Sequence, residues 1–410
     1  MRTRTAAAGA ATALGVLLLA ACGPSAPAAK PAAPSASSTH PVFSKPLDAR
    51  PYAALGRTKA AKNATFTQTV TFSAKGADAV LKTTGKLDFD GGRADGSLGW
   101  TVGEGFPEEA AKALGNVDTH RRRTDQAARL VIDRQRIDYR SATAGYWLRY
   151  DAADVFEFDP TENTANTIKT RRGGEAAFGG TLLEVVSNVK EVKEEVLPDG
   201  GRRYRTGLEA RAAYGLLHST VTEEGLSGTN PRTRVPLTVS ADASGRITSA
   251  ETDLSPLLSK DPDSSLAGVQ GLSVKLTLNG YGTSVPATVP ATDKVIPAGG
   301  SVVLLTTAKA GDCVDFGTGM PAQGYVVKAD CGPPHDARVF AREALPGGGF
   351  PGSARVKEKV GAACRSAYDE IPSAWRAESV EPGKMWYQSP SEGGWNFAAK
   401  RFGMCYVLSR

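Results

Sequence analysis

Apolar and polar side chains alternate along residues 65–102. Phe66, Gln68, Val70 and Phe72 share one face of an extended segment, with Thr65, Thr67, Thr69 and Thr71 on the other. Leu81, Thr83, Gly85, Leu87 and Phe89 then alternate with Lys82, Thr84, Lys86, Asp88 and Asp90. After a turn signal at Asp90-Gly91-Gly92 the pattern resumes at Ala94, Gly96, Leu98, Trp100 and Val102. A period of two marks a strand with one buried and one wet face. Strands joined by short turns predict an antiparallel meander. Phe66, Val70, Phe72, Leu81, Leu87, Phe89, Leu98 and Trp100 are therefore expected to face one apolar interior. That interior is either a core filled by helices or the lining of a ligand cavity, and the alternation is the same in both.

The pattern continues with breaks. Residues 129–132 and 136–140 flank a tight turn, and 146–150 follow as a further strand. Leu182, Leu183, Val185, Val186 and Val189 predict a short helix, and residues 210–218 another. Two hairpins are predicted, 189–197 with 202–209 about Pro198-Asp199-Gly200-Gly201, and 234–241 with 246–253 about Ala243-Ser244-Gly245. Leu272, Val274, Leu276 and Leu278 line a last strand. The class is α+β.

Composition changes at both ends. A short apolar run, Leu14 to Ala20, follows Arg2 and Arg4 and ends at Leu19-Ala20-Ala21-Cys22-Gly23. This is the layout of a secretory signal, and the run is shorter than the ~20 residues a membrane-spanning helix needs. From Gly23 to about Ser44 the chain is rich in Pro, Ala and Ser without apolar periodicity, which predicts a disordered tether. The formal net charge is +6, the excess is spread along the chain, and Arg121-Arg122-Arg123 reads as a solvated run; no nucleic-acid module and no nucleic-acid partner is expected. The abundance of Ala, Gly, Arg and Pro fits a high-GC bacterium. Apart from Cys22, the cysteines are Cys313, Cys331, Cys364 and Cys405, all in the last quarter. Outside the cytoplasm such a set reads as a disulfide framework with three pairings open. No CxxC pair occurs, so zinc is not expected.

Three resemblances sharpen this picture. Cys22 after its small-residue site resembles the bacterial lipobox. That implies a diacylglycerol on Cys22, removal of residues 1–21, and a lipid-anchored protein on the extracytoplasmic face of a cell membrane; two acyl chains on one residue suffice for stable anchoring. The alternative is an ordinary signal with an incidental cysteine. Roughly residues 50–290 resemble the LppX/LprG lipoproteins of actinobacteria. The likeness is carried by the early one-sided strands, Gly91-Gly92-Arg93-Ala94, Ile137-Asp138-Tyr139-Arg140, Tyr146-Trp147-Leu148-Arg149-Tyr150-Asp151, the Gly-Gly-Thr-Leu-Leu string at 179–183 and Asn279-Gly280-Tyr281-Gly282. It implies a LolA-like fold, a curved antiparallel half-barrel with helices on its concave face around an apolar cavity for the acyl chains of a lipid or lipoglycan. Residues 210–233 are longer and more polar than that pattern and are expected to narrow or cap such a cavity. Residues 302–410 resemble the septum-formation-type domain of actinobacterial membrane proteins through Gly311-Asp312-Cys313, Cys331, Pro334-His335-Asp336, Cys364, Trp395 and Cys405. Arg338 stands where that pattern has an acidic residue. The pattern, with nearness in sequence, favours the pairs Cys313–Cys331 and Cys364–Cys405. The expected domains are thus a signal (1–21), a lipidated tether (22–45), a half-barrel (46–298) and a small disulfide-stapled α+β module (301–410).

Catalytic chemistry is sparse. His40 lies in the tether, His120 in the basic run and His218 at a helix end. His335 alone has company, Asp336 beside it and Cys331 four residues before. A Cys-His nucleophile needs a free thiolate, so a disulfide at Cys331 would leave His335 a turn residue after Pro333-Pro334. No GxSxG elbow, phosphate loop, dinucleotide fingerprint or HExxH occurs. Asp261-Pro262-Asp263-Ser264 is only a fragment of a calcium loop. The expectation is a non-catalytic protein, without cofactor or metal, that binds or carries an apolar envelope molecule. The alternative is an interaction protein whose C-terminal module docks a cell-envelope protein or wall partner. Replacing Cys22 with Ser is expected to release the protein into the medium or leave it unprocessed, as fractionation and intact mass would read; a processed, membrane-bound Cys22→Ser protein contradicts the anchor.

Overall fold

The computed structural model describes residues 40–114, 127–133, 136–151, 182–214, 216–217, 226, 230, 232–262, 264–285, 289–318, 324–390 and 392–409. Cys22, His120, Arg121–Arg123, His218 and Asp263 lie outside them.

The alternation at 63–102 folds as three strands, β1 (Asn63–Ala74), β2 (Ala77–Asp88) and β3 (Arg93–Val102). In β1 every even residue from Ala64 to Phe72 is buried and its odd neighbours are partly exposed. β1 and β2 pair from Asn63↔Asp88 to Ala74↔Ala77 about Lys75-Gly76, where Gly76 takes φ +86°, a left-handed conformation that costs glycine little. The meander continues through β4 (Ala128–Asp133), β5 (Arg136–Arg140) and β6 (Trp147–Asp151). Both hairpins form as read, β7 (Lys190–Val196) with β8 (Arg202–Glu209) and β9 (Arg234–Ala241) with β10 (Ile247–Asp253).

Then β11 (Val269–Asn279) returns to pair with β1, with Phe66↔Leu278, Gln68↔Leu276, Val70↔Val274 and Phe72↔Leu272 in register. The two most strictly alternating strands thus meet apolar row to apolar row. A slip by one residue would turn the whole row to water, so burial pins the register. The result is a curled half-barrel sheet ordered β12-β6-β5-β4-β3-β2-β1-β11-β10-β9-β8-β7. Its edge strand β12 (Val295–Pro297) runs parallel to β6. The segment before β12 crosses the outer face, where Val289 and Val295 cover the buried Val131 and Trp147, and the Trp147 indole donates to Asp293 at 2.8 Å. The opposite edge, β7, reads Lys-Glu-Val-Lys-Glu-Glu-Val, a charged edge that discourages further strand pairing.

Helices pack on the apolar face. In α1 (Arg50–Lys59), Pro51, Ala54, Leu55 and Thr58 are buried, the i, i+3, i+4, i+7 stripe of a helix lying on a core. Thr58 Oγ1 donates to the Ala54 carbonyl and accepts from Ile247 N, both at 2.8 Å, pinning α1 to the start of β10. After α2 (Glu108–Ala113) comes α3 (Leu182–Val185), whose first amide donates to the buried Gln68 Oε1 at 3.0 Å. Gln68, the polar member of the inner row of β1, thereby serves an amide that helix geometry leaves unpaired. The tether expected as far as residue 45 ends earlier. Residues 41–44 form a 3-10 turn with Val42 and Phe43 buried, and the Arg202 guanidinium lies 4.6 Å from the Phe43 ring centre. The helix expected over 210–218 is described only as α4 (Ala210–Tyr214).

The C-terminal residues build a second sheet. Its strands are β13 (Val302–Leu304), β14 (Cys313–Asp315), β15 (Tyr325–Ala329), β16 (Ala337–Ala344), β17 (Trp386–Gln388) and β18 (Phe402–Leu408), ordered β13-β15-β14-β16-β18-β17. Disulfides join Cys313 to Cys331 and Cys364 to Cys405. The second ties β18 to α5 (Ser353–Glu370), whose Val356, Val360 and Cys364 are buried among Phe340, Trp395 and Val407.

This module is not insulated from the half-barrel. Val302, Leu304, Tyr325 and Val327 belong to the same continuous apolar cluster as Phe66 and Leu148. At the junction the Tyr146 hydroxyl donates to Asp315 Oδ2 at 2.6 Å, and the Tyr150 hydroxyl donates to the Thr318 carbonyl. Burial, with the hydrogen bond to Asp315, raises the Tyr146 pKa well above the usual phenol range, so this donor stays protonated in alkaline solution. Tyr146→Phe leaves a mostly buried carboxylate oxygen without its donor and is expected to cost about 1–3 kcal/mol, read as a lower urea midpoint; an unchanged midpoint would show that the contact is dispensable.

Candidate apolar binding site

The inner face of β1–β3 brings together the residues that alternation singled out. Phe66 and Phe72 are each 1% exposed, Val70 is 5% exposed and Leu87 is sealed. Leu81, Phe89 and Trp100 pack against the same cluster but are only partly covered. Leu98 is also partly covered and stands outside that cluster. The face therefore has two regions. Around β1 and β11 it is closed by α1 and α3. A strip at Leu81, Leu98 and Trp100 of β2 and β3 is only partly covered; Phe89, past the end of β2, is partly covered separately, beyond the buried Thr83 and Leu87. Gly85 explains how the closed region packs: a Cβ there would lie 2.5 Å from the Asp95 carbonyl oxygen and 3.1 Å from the Phe66 ring, so glycine lets that ring lie against β2.

Few polar atoms reach this interior, and most are answered. Gln68 meets α3, and Thr252 Oγ1 donates to the Pro236 carbonyl at 2.7 Å. Among the described residues of the half-barrel strands, the Trp100 indole Nε1 and the Tyr204 hydroxyl are buried without a hydrogen-bond partner. Burial, with the nearby Glu194 carboxylate, raises the Tyr204 pKa above the phenol range, so it too remains an O–H. Neither buried donor was distinguishable in the sequence, where both read as ordinary aromatic members of a strand face.

A shallow groove of about 340 Å³ lies in the β10–β11 connection, lined by Ser255, Leu258, Ser259, Lys260, Asp261 and Val269 among others. Leu258 and Val269 also pack against the main apolar cluster. The Asp261-Pro262 segment is thus part of a surface groove, and among the described residues no group of three or more potential metal ligands occurs.

In the second module His335 is 7% exposed, its Nδ1 lies 3.0 Å from the Pro333 carbonyl oxygen, and Cys331 is held in a disulfide. A disulfide sulfur offers no thiolate, so this pair lacks the nucleophile a Cys-His site requires. Arg338, in place of an acidic residue, forms a two-pronged bond to Glu378 at 2.7 and 2.9 Å and lies 5.2 Å from the Trp375 ring centre. Its observed contacts are structural. No helix among the described residues is long and apolar enough to cross a membrane.

No protein-family model matches the chain, and no curated protein matches it significantly. Among solved structures, the Mycobacterium tuberculosis lipoprotein LppX is 12% identical with a TM-score of 0.32, over 57% of this chain and 94% of LppX. A conserved protein from Thermus thermophilus is 8% identical with a TM-score of 0.26, over 60% and 96% of the two chains. A DUF1329 family protein from Desulfovibrio piger is 9% identical with a TM-score of 0.22, over 59% and 96%. At these scores none of the likenesses bears on function.

The two regions of the inner face are expected to respond differently to truncation. Phe66→Ala in the closed region should cost about 3–5 kcal/mol, as deletion of a fully packed aromatic ring does. Leu98→Ala at the partly covered strip should cost less than about 2 kcal/mol. Urea denaturation of the two variants reads the difference, and equal costs would mean that the face is uniformly filled.

Proposed function

We propose that the half-barrel binds an acyl lipid or lipoglycan at the partly covered strip around Leu81 and Trp100, and that the protein holds or carries this molecule at the outer face of a cell membrane to which Cys22 anchors it. The observation that carries the reading is the incomplete cover over large apolar side chains that continue into a sealed core. A purely structural sheet face is normally closed by its helices, whereas a binding face keeps apolar surface in reserve. The sequence supports the same reading through the lipobox at Cys22 and the resemblance of residues 50–290 to lipid-binding lipoproteins. Binding is noncovalent and requires no catalytic residue, cofactor or metal.

A second reading has its own observation. Phe316, Tyr387 and Phe397 on the C-terminal module are exposed by 39%, 38% and 47%, and such side chains suit contact with a protein or wall partner. On this reading the module, which resembles a septum-formation-type domain, docks the partner while the half-barrel serves as its support.

Mass spectrometry of lipids extracted from purified Cys22→Ser protein, which lacks its own acyl anchor, tests the first reading. A single lipid class retained near one molecule per protein is expected. Protein that carries none and takes up none from mixed envelope lipids would leave the docking role as the better account.

A further inference from the structure

We propose that Trp100 is a specificity residue of the apolar site, its indole N–H held for an acceptor oxygen such as an ester carbonyl embedded in the ligand's apolar body. The inference rests on the lipid-binding reading and narrows it from apolar molecules in general to those with an acceptor along the chain. Trp100 lies on the inner face of β3, directly across from Leu81 of β2, with the Phe72 ring centre 6.0 Å away. Its Nε1 is buried and makes no hydrogen bond. Indole is a donor with no acceptor capacity, and a buried donor left unmatched is costly and rare in native proteins. Packing alone does not require it: phenylalanine, used at neighbouring Phe72, would supply aromatic area on this face without the unmet N–H.

Tyr204 provides the contrast. Its hydroxyl is equally unmatched, but Tyr204 is fully enclosed, whereas Trp100 is only partly covered. Among the described residues of this face, Trp100 is the one that combines an unmatched donor with a place on the partly covered strip. A hydrocarbon cannot meet that need and an ammonium group would oppose it. A carbonyl oxygen flanked by methylenes satisfies the N–H while leaving the surroundings apolar.

The test compares two fluorescent probes that differ in one ester, the methyl ester of 1-pyrenedodecanoic acid and 1-dodecylpyrene, titrated into full-length Cys22→Ser protein. The ester probe is expected to bind more tightly. Adding Trp100→Phe should weaken ester binding about 2- to 13-fold, the range of one neutral hydrogen bond, and leave dodecylpyrene binding unchanged; Tyr204→Phe should change neither. Independently of variants, the indole ¹⁵N–¹H resonance of Trp100 should move downfield with the ester probe and not with dodecylpyrene. Equal weakening of both probes by Trp100→Phe, or an indole resonance that ignores the ester, overturns the role of Trp100 while lipid binding stands. If neither probe binds the parent protein and its indole resonance is unmoved, the lipid-binding reading falls and this inference with it.

Discussion

The pairing of β1 with β11 is the constraint on which the rest of the molecule depends. It joins segments about two hundred residues apart, so everything between them, from β2 to β10, must fold as one loop closed by this contact. The closure is entropically expensive. What offsets it is the match of the rows Phe66, Val70, Phe72 and Leu272, Val274, Leu278, whose side chains are all at most 5% exposed. Each cross-strand pair contributes only about 0.2–1 kcal/mol. The row acts collectively because it admits a single register.

From that seam the other features follow. β1 becomes the centre of the sheet and turns one face inward along its whole length. Gln68 on that face receives the first amide of α3, and Thr58 of α1 receives the first amide of β10, so the helices are located by single polar contacts within an otherwise apolar interface. Their cover is thickest over β1, β10 and β11 and leaves the β2–β3 strip partly open. The second module extends the same core through Leu304 and Val327 and is latched by Tyr146, just before β6, and Tyr150 within it. It therefore buttresses the half-barrel at the strand end where β12 adds to the sheet.

Much of this was legible from the chain. The period of two at 65–102 located three strands and their inward residues, since alternation is a local property and turn residues such as Gly91-Gly92 and Gly200-Gly201 mark its breaks. Part of what escaped was non-local or short; α5 (Ser353–Glu370) was neither, and lies in a region read only through its cysteines and its resemblance. Nothing in residues 63–74 says that the partner lies at 269–279 rather than beside an edge. Helix α1 carries its stripe at Pro51, Ala54, Leu55 and Thr58, but Gly56 within it and the proline-rich stretch before it disguise ten residues of helix. β12 is three residues ending in proline, too brief for any periodicity. Trp100 was visible as an inward aromatic, whereas the unmet need of its indole nitrogen emerges only when the neighbours are in place.

The central claim is that part of the inner face is kept for an amphiphilic guest and is not simply the outer margin of a core. An experimental electron-density map of protein purified from an acyl-lipid-producing bacterium tests this most directly. The account predicts elongated density lying against Leu81 and Trp100, with a polar atom within hydrogen-bond distance of Trp100 Nε1. A strip closed over by protein side chains, with no density other than protein against Leu81 and Trp100, would contradict it.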